Sequence, residues 1–450
     1  MGILGRNFLH TAVSNFVLKF GIGLIIAVVT GRALEPEGRG EYILLVLIIT
    51  TITTLFSFGI PGTNTYFTAQ KKFSRAQLTR ASIVLTAPIT IVSFLVLYIF
   101  YVLKLDFLFP TSKLTAPIVA SLGIVPIVFF TQFAQGIIVG ENRISLNNYI
   151  SLSSQGAFAV ALTILYVLGI LTVTLAIALY ALSFLLALAV IIAASSPPWR
   201  HVLNARMRWN EYGELLRFSG TIHIGNLTQF FNYRLDAFIV SFFLGTAAVG
   251  LYGYSKMFGE TVWLLSTSMA AVLLPTMAGQ HEKSKEIAVK AAVATFGVSV
   301  IAGLAAFAVG PTFIVLLLGK AFEGSVEPFL ILLPGVVIFS ITNVLATYIT
   351  AIGRPGQNAA IAFISFLFTF IFDILFIPRY GISGAALASG ISYTVSSTLT
   401  VIVFWKVSGI TASECVVIVK SMSTDFRSIV NRMKQRVGVV GGQSGSTGTT

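Results

Sequence analysis

Charged residues are scarce in this sequence. Of its 450 residues, 10% are Asp, Glu, Lys or Arg and 56% are hydrophobic. Soluble globular chains carry about 25% charged residues, so the composition excludes an ordinary soluble domain. Apolar runs that reach the roughly 20 residues needed to cross a bilayer recur along the chain. The sequence therefore predicts an all-α polytopic membrane protein.

Cysteine and histidine are also rare. The single cysteine, Cys415, excludes a disulfide framework and a cysteine metal site, and the four histidines form no cluster in sequence. We therefore predict no metal site, no catalytic residue and no bound cofactor. The first apolar run begins near Phe8 and is too long for the core of a signal peptide, so we expect it to be retained.

Apolar runs separated by polar, glycine or proline breaks predict twelve transmembrane helices. They fall at 8–33, 42–68, 81–103, 115–140, 147–168, 171–195, 218–244, 250–276, 291–318, 328–352, 358–378 and 382–405.

The basic residues predict the orientation of these spans. With a cytoplasmic N-terminus, twenty of the 29 Lys and Arg residues fall in cytoplasmic segments, six in outer segments and three within spans. The positive-inside rule then places both termini in the cytoplasm. The net charge of +13 is explained by these loops facing anionic lipid headgroups. We predict no nucleic-acid partner and location in the cytoplasmic (inner) membrane.

A weak internal repeat divides the chain into two halves. GRGEY at 38–42 aligns with AVGLY at 248–252, and two later pairs of segments repeat this offset within three residues. Six-span halves enter the membrane from the same side, and transporters built this way bind substrate in a central cavity between them. The predicted parts are a six-helix lobe at 1–196, a cytoplasmic linker at 197–217, a six-helix lobe at 218–405 and a basic tail at 406–450. The tail is either an amphipathic helix on the inner leaflet or partly ordered, and its end is predicted to be disordered.

The seventh span carries opposite charges inside an apolar run. At 100° per residue, Arg234 and Asp236 lie on the two edges of one polar face. That face also carries Asn226, Gln229 and Tyr233. Residues two apart on a helix do not meet, so each charge needs a partner elsewhere.

Three other spans carry charges. Lys19 shares a small, partly polar strip with Asn15 in the first span, and Asp373 stands alone in the eleventh. One stripe of the eighth span carries Tyr252, Lys256, Glu260 and Trp263, and Lys256 and Glu260 are four apart and can pair directly.

A charge at bilayer depth costs about 2.5–3.5 kcal/mol even on insertion scales. These residues therefore face either a water-filled cavity or partners that hold the bundle together. In the cavity interpretation, Lys19, Arg234 and Lys256 form a cationic field suited to a phosphate or pyrophosphate group. Tyr252 and Trp263 either pack between helices or stack on a sugar ring.

Several stretches resemble bacterial polysaccharide (O-antigen type) flippases of the multidrug/oligosaccharidyl-lipid/polysaccharide exporter superfamily. They are GRALEPEGRGEYILLVLI at 31–48, NYRLDAFIVSFFLGTAAVGLYGYSKMFGE at 232–260, LLPTMAG at 273–279 and PRYGISGAALASGISY at 378–393. The resemblance covers most of residues 1–405 and does not extend to the tail.

The resemblance implies a flippase that moves an undecaprenyl-pyrophosphate-linked oligosaccharide to the outer leaflet by alternating access, for surface polysaccharide assembly. In such proteins cavity cations hold the pyrophosphate, which corresponds here to Lys19, Arg234 and Lys256. Asn15, Asn226, Gln229, Tyr233, Tyr252 and Trp263 would then be polar or sugar contacts. No nucleotide-binding GxxxxGK[ST] motif occurs, so a proton or sodium gradient would drive transport, with Asp236, Glu260 and Asp373 as the candidates for ion coupling.

Other functions stay open at this point. A cation-coupled multidrug exporter of the same superfamily would be expected to have an acidic or aromatic cavity. A membrane enzyme acting on lipid-linked sugars would need a large outer loop with acids or histidines, and the outer loops are short. The expected partners are the lipid-linked oligosaccharide, membrane lipids and other membrane proteins of polysaccharide assembly, with the protein itself a monomer.

Overall fold

A computed structural model describes residues 21–104, 122–195, 199–263 and 284–411, with short stretches at 266–270, 273, 277, 413–418 and 420. This described part is helical apart from its turns and contains no β-strand, which confirms the predicted all-α class. Lys19, Asn15, the side chain of Gln229 and most of the predicted tail lie outside the described residues.

The helices are numbered here in chain order and do not correspond one to one with membrane crossings. They are α1 Gly23–Phe56, α2 Ile60–Ala69, α3 Arg75–Val102, α4 Val125–Gly140, α5 Ile144–Val167, α6 Val173–Ser195, α7 Trp199–Asn204, α8 Trp209–Leu244, α9 Thr246–Glu260, α10 Ser284–Leu318, α11 Val326–Ala351 and α12 Pro355–Ser408.

Two long helices each join two predicted spans across a kink. In α1 the break falls at Glu35, whose φ of 57° is left-handed, and Pro36 follows it and has no N–H to donate. In α12 the break falls at Gly381, with φ 61°, shortly after Pro378. The short outer loops expected at these two positions are therefore sharp turns within a nearly continuous helix.

Seven helices in the described part are long and apolar enough to cross a membrane, among them α1 and α12. The protein is therefore a multi-pass membrane protein, while the count of twelve crossings stays a prediction. The seventh predicted span differs at its start, because α8 begins at Trp209 inside the segment expected to be a linker. The eighth differs at its end, since α9 stops at Glu260 and a 3-10 turn follows.

The described helices group into two compact units, each assembled from three stretches of chain. The first comprises residues up to 261 with 305–334 and 362–392, and the second comprises 262–304, 335–361 and 393 onward. The first unit contains α1 to α9 and is centred on buried aliphatic and aromatic side chains such as Ile52, Phe129 and Leu162. The second has its own core around Val344, Ile349 and Phe404.

Glycines set the closest helix contacts of the first unit. A Cβ atom added at Gly40 of α1 would lie 1.8 Å from the Thr246 carbonyl oxygen, and one at Gly250 of α9 would lie 2.1 Å from the Pro36 oxygen. No larger residue fits either position without moving the backbone. Helices α1 and α9 are therefore in backbone-to-backbone contact beside the Glu35 kink.

Candidate functional site

The charged centre of the first unit is built on α8, which presents two neighbouring charges to different surroundings. Asp236 is buried, with 2% of its surface exposed, whereas Arg234 is exposed. Their positions two residues apart turn the side chains in different directions. One helix therefore supplies a buried anion and an accessible cation at nearly the same height.

Asp236 accepts hydrogen bonds at both carboxylate oxygens. Its Oδ2 lies 2.5 Å from Lys256 Nζ and 2.8 Å from the Tyr252 hydroxyl, both on α9. Its Oδ1 accepts a 2.8 Å bond from the Ala237 amide. The Tyr252 hydroxyl is also 3.2 Å from Ser389 Oγ on α12. The network thus joins three helices around one carboxylate.

Lys256 is committed to this network. Besides Asp236, its ammonium donates a 2.9 Å bond to the Tyr233 carbonyl oxygen. Glu260, the partner expected from the i,i+4 spacing, is more distant at 3.9 Å. Because the lysine side chain is only 13% exposed, it offers little surface to a ligand in this conformation.

Asp373 of α12 is the one candidate carboxyl with no hydrogen-bond partner. It is fully buried, and neither of its oxygens has a partner in the described part of the chain. Both Asp236 and Lys256 lie within electrostatic range of it. A buried carboxyl in this state is stable only when it is neutral or holds a small cation, since an isolated buried charge is far too costly.

Arg234 is the accessible cation of the site. It is exposed and forms no ion pair among the described residues. Tyr180 on α6 lies within electrostatic range of its charge. An exposed guanidinium without an ion-pair partner can bind a phosphate in a bidentate manner.

Comparison with known proteins assigns the family. The family described as "polysaccharide biosynthesis protein" matches residues 4–281, more than half of the chain. The chain belongs to this family. The polysaccharide biosynthesis family resemblance drawn from the quoted motifs is thereby confirmed.

Relatives of this family member include proteins named as flippases. A probable flippase, AglR, of Haloferax volcanii is 26% identical over 215 residues, which cover 45% of this chain and 42% of that protein. An uncharacterised membrane protein of Methanocaldococcus jannaschii is 30% identical over 169 residues, covering 36% of this chain and 33% of the relative. The matched region is thus less than half the length of these curated relatives.

Solved structures show the fold of the family member. The lipid II flippase MurJ in an inward closed conformation superposes with a TM-score of 0.73 and 15% identity, covering 91% of this chain and 89% of MurJ. An inward-facing multidrug resistance MATE family transporter of the MOP superfamily gives 0.69 and 13%, covering 91% and 99%. The protein therefore shares the helical fold of these two transporters.

The structure separates the remaining predicted residues. Tyr252 is 1% exposed and holds Asp236 rather than facing a cavity. Trp263 lies in the second unit, where its ring packs 5.0 Å from Phe339 and 5.3 Å from Tyr393. Asn226 is exposed on α8. Of the polar and sugar-contact candidates that are described, Asn226 and the half-buried Tyr233 keep accessible surface near Arg234.

Sequence reasoning missed Tyr180 and Ser389. Tyr180 sits in an almost uniformly apolar helix, and Ser389 in a helix rich in alanine and glycine. Neither environment carries a charge that would mark a functional face. Only the three-dimensional structure shows Ser389 at the Tyr252 hydroxyl and Tyr180 against the Tyr42 ring.

Proposed function

We propose that this protein is a flippase that moves a lipid-linked oligosaccharide across the cytoplasmic membrane by alternating access, for surface polysaccharide assembly. In the finer form of the proposal the carrier is undecaprenyl pyrophosphate. Both termini are proposed to face the cytoplasm, so that the Glu35 kink of α1 lies on the release side of the membrane. The name of the Haloferax relative, a probable flippase, supports the activity, and that of MurJ, a lipid II flippase, supports a lipid-linked substrate.

The observation that carries the proposal is Arg234. Three features set it apart from a structural arginine: it lies within a long helix, it is exposed, and no carboxylate among the described residues pairs with it. An unpaired intramembrane cation is retained against a cost of several kcal/mol. A phosphate or pyrophosphate headgroup supplies the compensating charge. A cationic drug, the cargo of a multidrug exporter, would be repelled.

The energy source is proposed to be a proton or sodium gradient acting through Asp236 and Asp373. Asp236 is already neutralised by Lys256, while Asp373 has two unused carboxyl oxygens next to that pair. Uptake of a proton or sodium ion at Asp373 would satisfy those oxygens. Glu260 is a weaker candidate, because it is half-buried and its carboxylate already lies 3.9 Å from the Lys256 ammonium.

A transport assay tests the proposal. The full-length protein is reconstituted in liposomes with a fluorescent polyprenyl-linked sugar. A membrane-impermeant quencher removes the fluorescence of the label in the outer leaflet only, so the fraction quenched reports movement between the leaflets. Arg234→Ala is expected to abolish movement. Arg354→Ala, which removes an exposed arginine at the start of α12, is the matched control and is expected to move substrate normally.

Three variations of this assay separate the finer statements. Pyrophosphate-linked and monophosphate-linked carriers are compared to identify the headgroup. Imposed pH or sodium gradients identify the coupling ion, and Asp373→Asn is expected to remove the dependence on that ion. Wild-type transport by Arg234→Ala, or transport of cationic dyes in place of the lipid-linked sugar, would contradict the cationic-cavity proposal. We propose that the protein acts as a monomer and that its partners are the lipid-linked oligosaccharide and membrane lipids. Transport in liposomes that contain this protein alone would show that no other protein is required.

A further inference from the structure

Arg39 of α1 is a buried cation that the proposed function has not yet used. It follows the Glu35 kink and is 9% exposed. One terminal nitrogen donates a 2.7 Å hydrogen bond to Thr30 Oγ1, on the other arm of the kink. Its Nε is buried and has no partner in the described part of the chain. The guanidinium is thus only partly satisfied by hydrogen bonds.

No carboxylate neutralises Arg39 among the described residues. Two aromatic rings do so in part: its guanidinium carbon lies 5.2 Å from the ring centre of Tyr42 and 5.1 Å from that of Tyr254. Cation–π contacts of this kind are much weaker than a charge-assisted hydrogen bond to an anion. The five N–H donors of an arginine match a phosphate in a planar, bidentate geometry. The residue is therefore better suited to an anion than to its present surroundings.

Arg39 is covered where α9 packs against α1. Tyr254, which covers the guanidinium, belongs to α9, and its hydroxyl donates to the Ala27 carbonyl of α1. Near it the two backbones touch at Gly40 and Gly250, while the Tyr254 side chain packs on Gly31 and the Ile43 side chain packs on Gly253. Tyr254 belongs to α9 and would leave the α1 surface together with that helix. Separation of α1 from α9 would therefore uncover the arginine without unfolding either helix.

Aromatic side chains extend from Arg39 towards the N-terminal helices. The Tyr42 ring, which faces Arg39, meets the Tyr180 ring edge-on at 6.3 Å, and Arg234 lies within electrostatic range of Tyr180. The two arginines thus belong to the same unit, with Tyr180 within the electrostatic reach of one and two rings away from the other. In the proposed orientation Arg39 lies on the release side.

We propose that Arg39 is a second, state-dependent binding site for the phosphoryl headgroup of the substrate. In the conformation described here it is closed by Tyr254, and it becomes available when α1 and α9 separate. The headgroup would pass from Arg234 to Arg39 on its way out. This inference rests on the proposed flippase function, and it adds the release-side site.

A binding experiment on the full-length protein tests it, with farnesyl pyrophosphate and farnesyl monophosphate as probes. Gly250→Ala forces α1 and α9 apart, because its Cβ would lie 2.1 Å from the Pro36 oxygen. Gly40→Ala acts on the same contact and serves as a second variant. Opening the contact is expected to strengthen probe binding about tenfold, as one charge-assisted contact does. Adding Arg39→Met is expected to remove that gain, and Arg39→Lys to restore only part of it.

Thr30→Val provides the matched control. It deletes the present hydrogen bond of Arg39 and leaves the charge in place. If Arg39 only clamps the kink, Thr30→Val and Arg39→Met will behave alike, and this result would overturn the inference. Retention of the gain in Arg39→Met, or absence of a gain in both glycine variants, would overturn it as well. Loss of basal binding in Arg234→Met tests the proposed function separately, since it is measured without opening the contact.

Discussion

Replacing Lys256 by methionine tests the ion pair that organises the candidate site. Methionine keeps most of the length of the lysine side chain and removes its ammonium group. The Asp236 carboxylate, 2.5 Å from that ammonium and 3% exposed, then loses its counter-ion. Breaking a buried pair on one side costs about 3–5 kcal/mol. Because Tyr252 and the Ala237 amide still bond Asp236, we expect the lower end, about 3 kcal/mol.

The measurement is the thermal midpoint of the detergent-purified protein, followed by size-exclusion chromatography after heating. At about 2 °C per kcal/mol for a large chain, Lys256→Met is expected to melt roughly 6 °C below wild type. Lys290→Met is the matched control, because it breaks a pair with Glu286 at 2.9 Å in which both side chains are about a third exposed or more. Exposed i,i+4 pairs contribute about 0.3–0.5 kcal/mol, so its midpoint should hardly change.

A second substitution tests whether the stability lost in Lys256→Met comes from the Asp236 carboxylate that is left without its counter-ion. Combining Lys256→Met with Asp236→Asn removes both charges and should recover about 2 kcal/mol relative to the sum of the single variants. Equal midpoints for Lys256→Met and Lys290→Met, or strict additivity in the double variant, would refute this account of the buried pair.

Three further predictions concern packing and the C-terminal segment. Gly136→Ala would place a Cβ 2.2 Å from the Pro61 oxygen and should lower the yield of folded protein, whereas Gly213→Ala, which has open space, should not. Burial and the charge of Glu414 raise the pKa of the Cys415 thiol, so maleimide should react slowly at pH 7–9 and faster in Glu414→Gln. The Thr411 amide, its hydroxyl and Lys285 lower the pKa of Glu414; this cap is therefore present above the ordinary glutamate pKa of about 4.3 and lost as the pH falls through the lower folded value. A spin label on Cys415 should accordingly become more mobile at pH 3 than at pH 7, and unchanged mobility would contradict the cap.

The class of the protein and the pattern of its helices could be predicted from composition and apolar runs. The start of α8 could not, because the segment after Trp209 is polar and looks like a loop. In the structure the Glu211 carboxylate accepts a 2.6 Å bond from the Arg208 amide. This local cap begins the helix about two turns before the apolar run, and hydropathy does not register it.

The charged residues on α8, α9 and α12 could be singled out from the sequence, but their pairing could not. Helical spacing places Lys256 next to Glu260, and the structure has them 3.9 Å apart. The closer partner of Lys256, Asp236, lies on another helix. Residue spacing along one helix carries no information about which helix packs against it. For the same reason Lys256 and Arg234 seemed equivalent cations, although Lys256 is half-buried and paired with Asp236 and Arg234 is exposed.

The charge state of Asp373 links the two halves of the proposed mechanism. The charges of Asp236 and Lys256 sum to zero, so the net charge of the site around Arg234 depends on whether the Asp373 carboxyl holds a cation. When it is occupied, the net charge of the four groups is positive and favours an anionic headgroup; when it is empty and ionised, the net charge is zero.

Binding of the cation and binding of the phosphoryl group must then strengthen each other by the same factor. Couplings between sites typically amount to 5–150-fold, so farnesyl pyrophosphate should bind more tightly at low pH or high sodium in the wild-type protein. Asp373→Asn fixes the neutral state, and its binding should be tight and independent of both ions. Binding that follows pH or sodium equally in Asp373→Asn and in wild type would show that the carboxyl does not set the field, because the only group that distinguishes the two proteins would then have no effect.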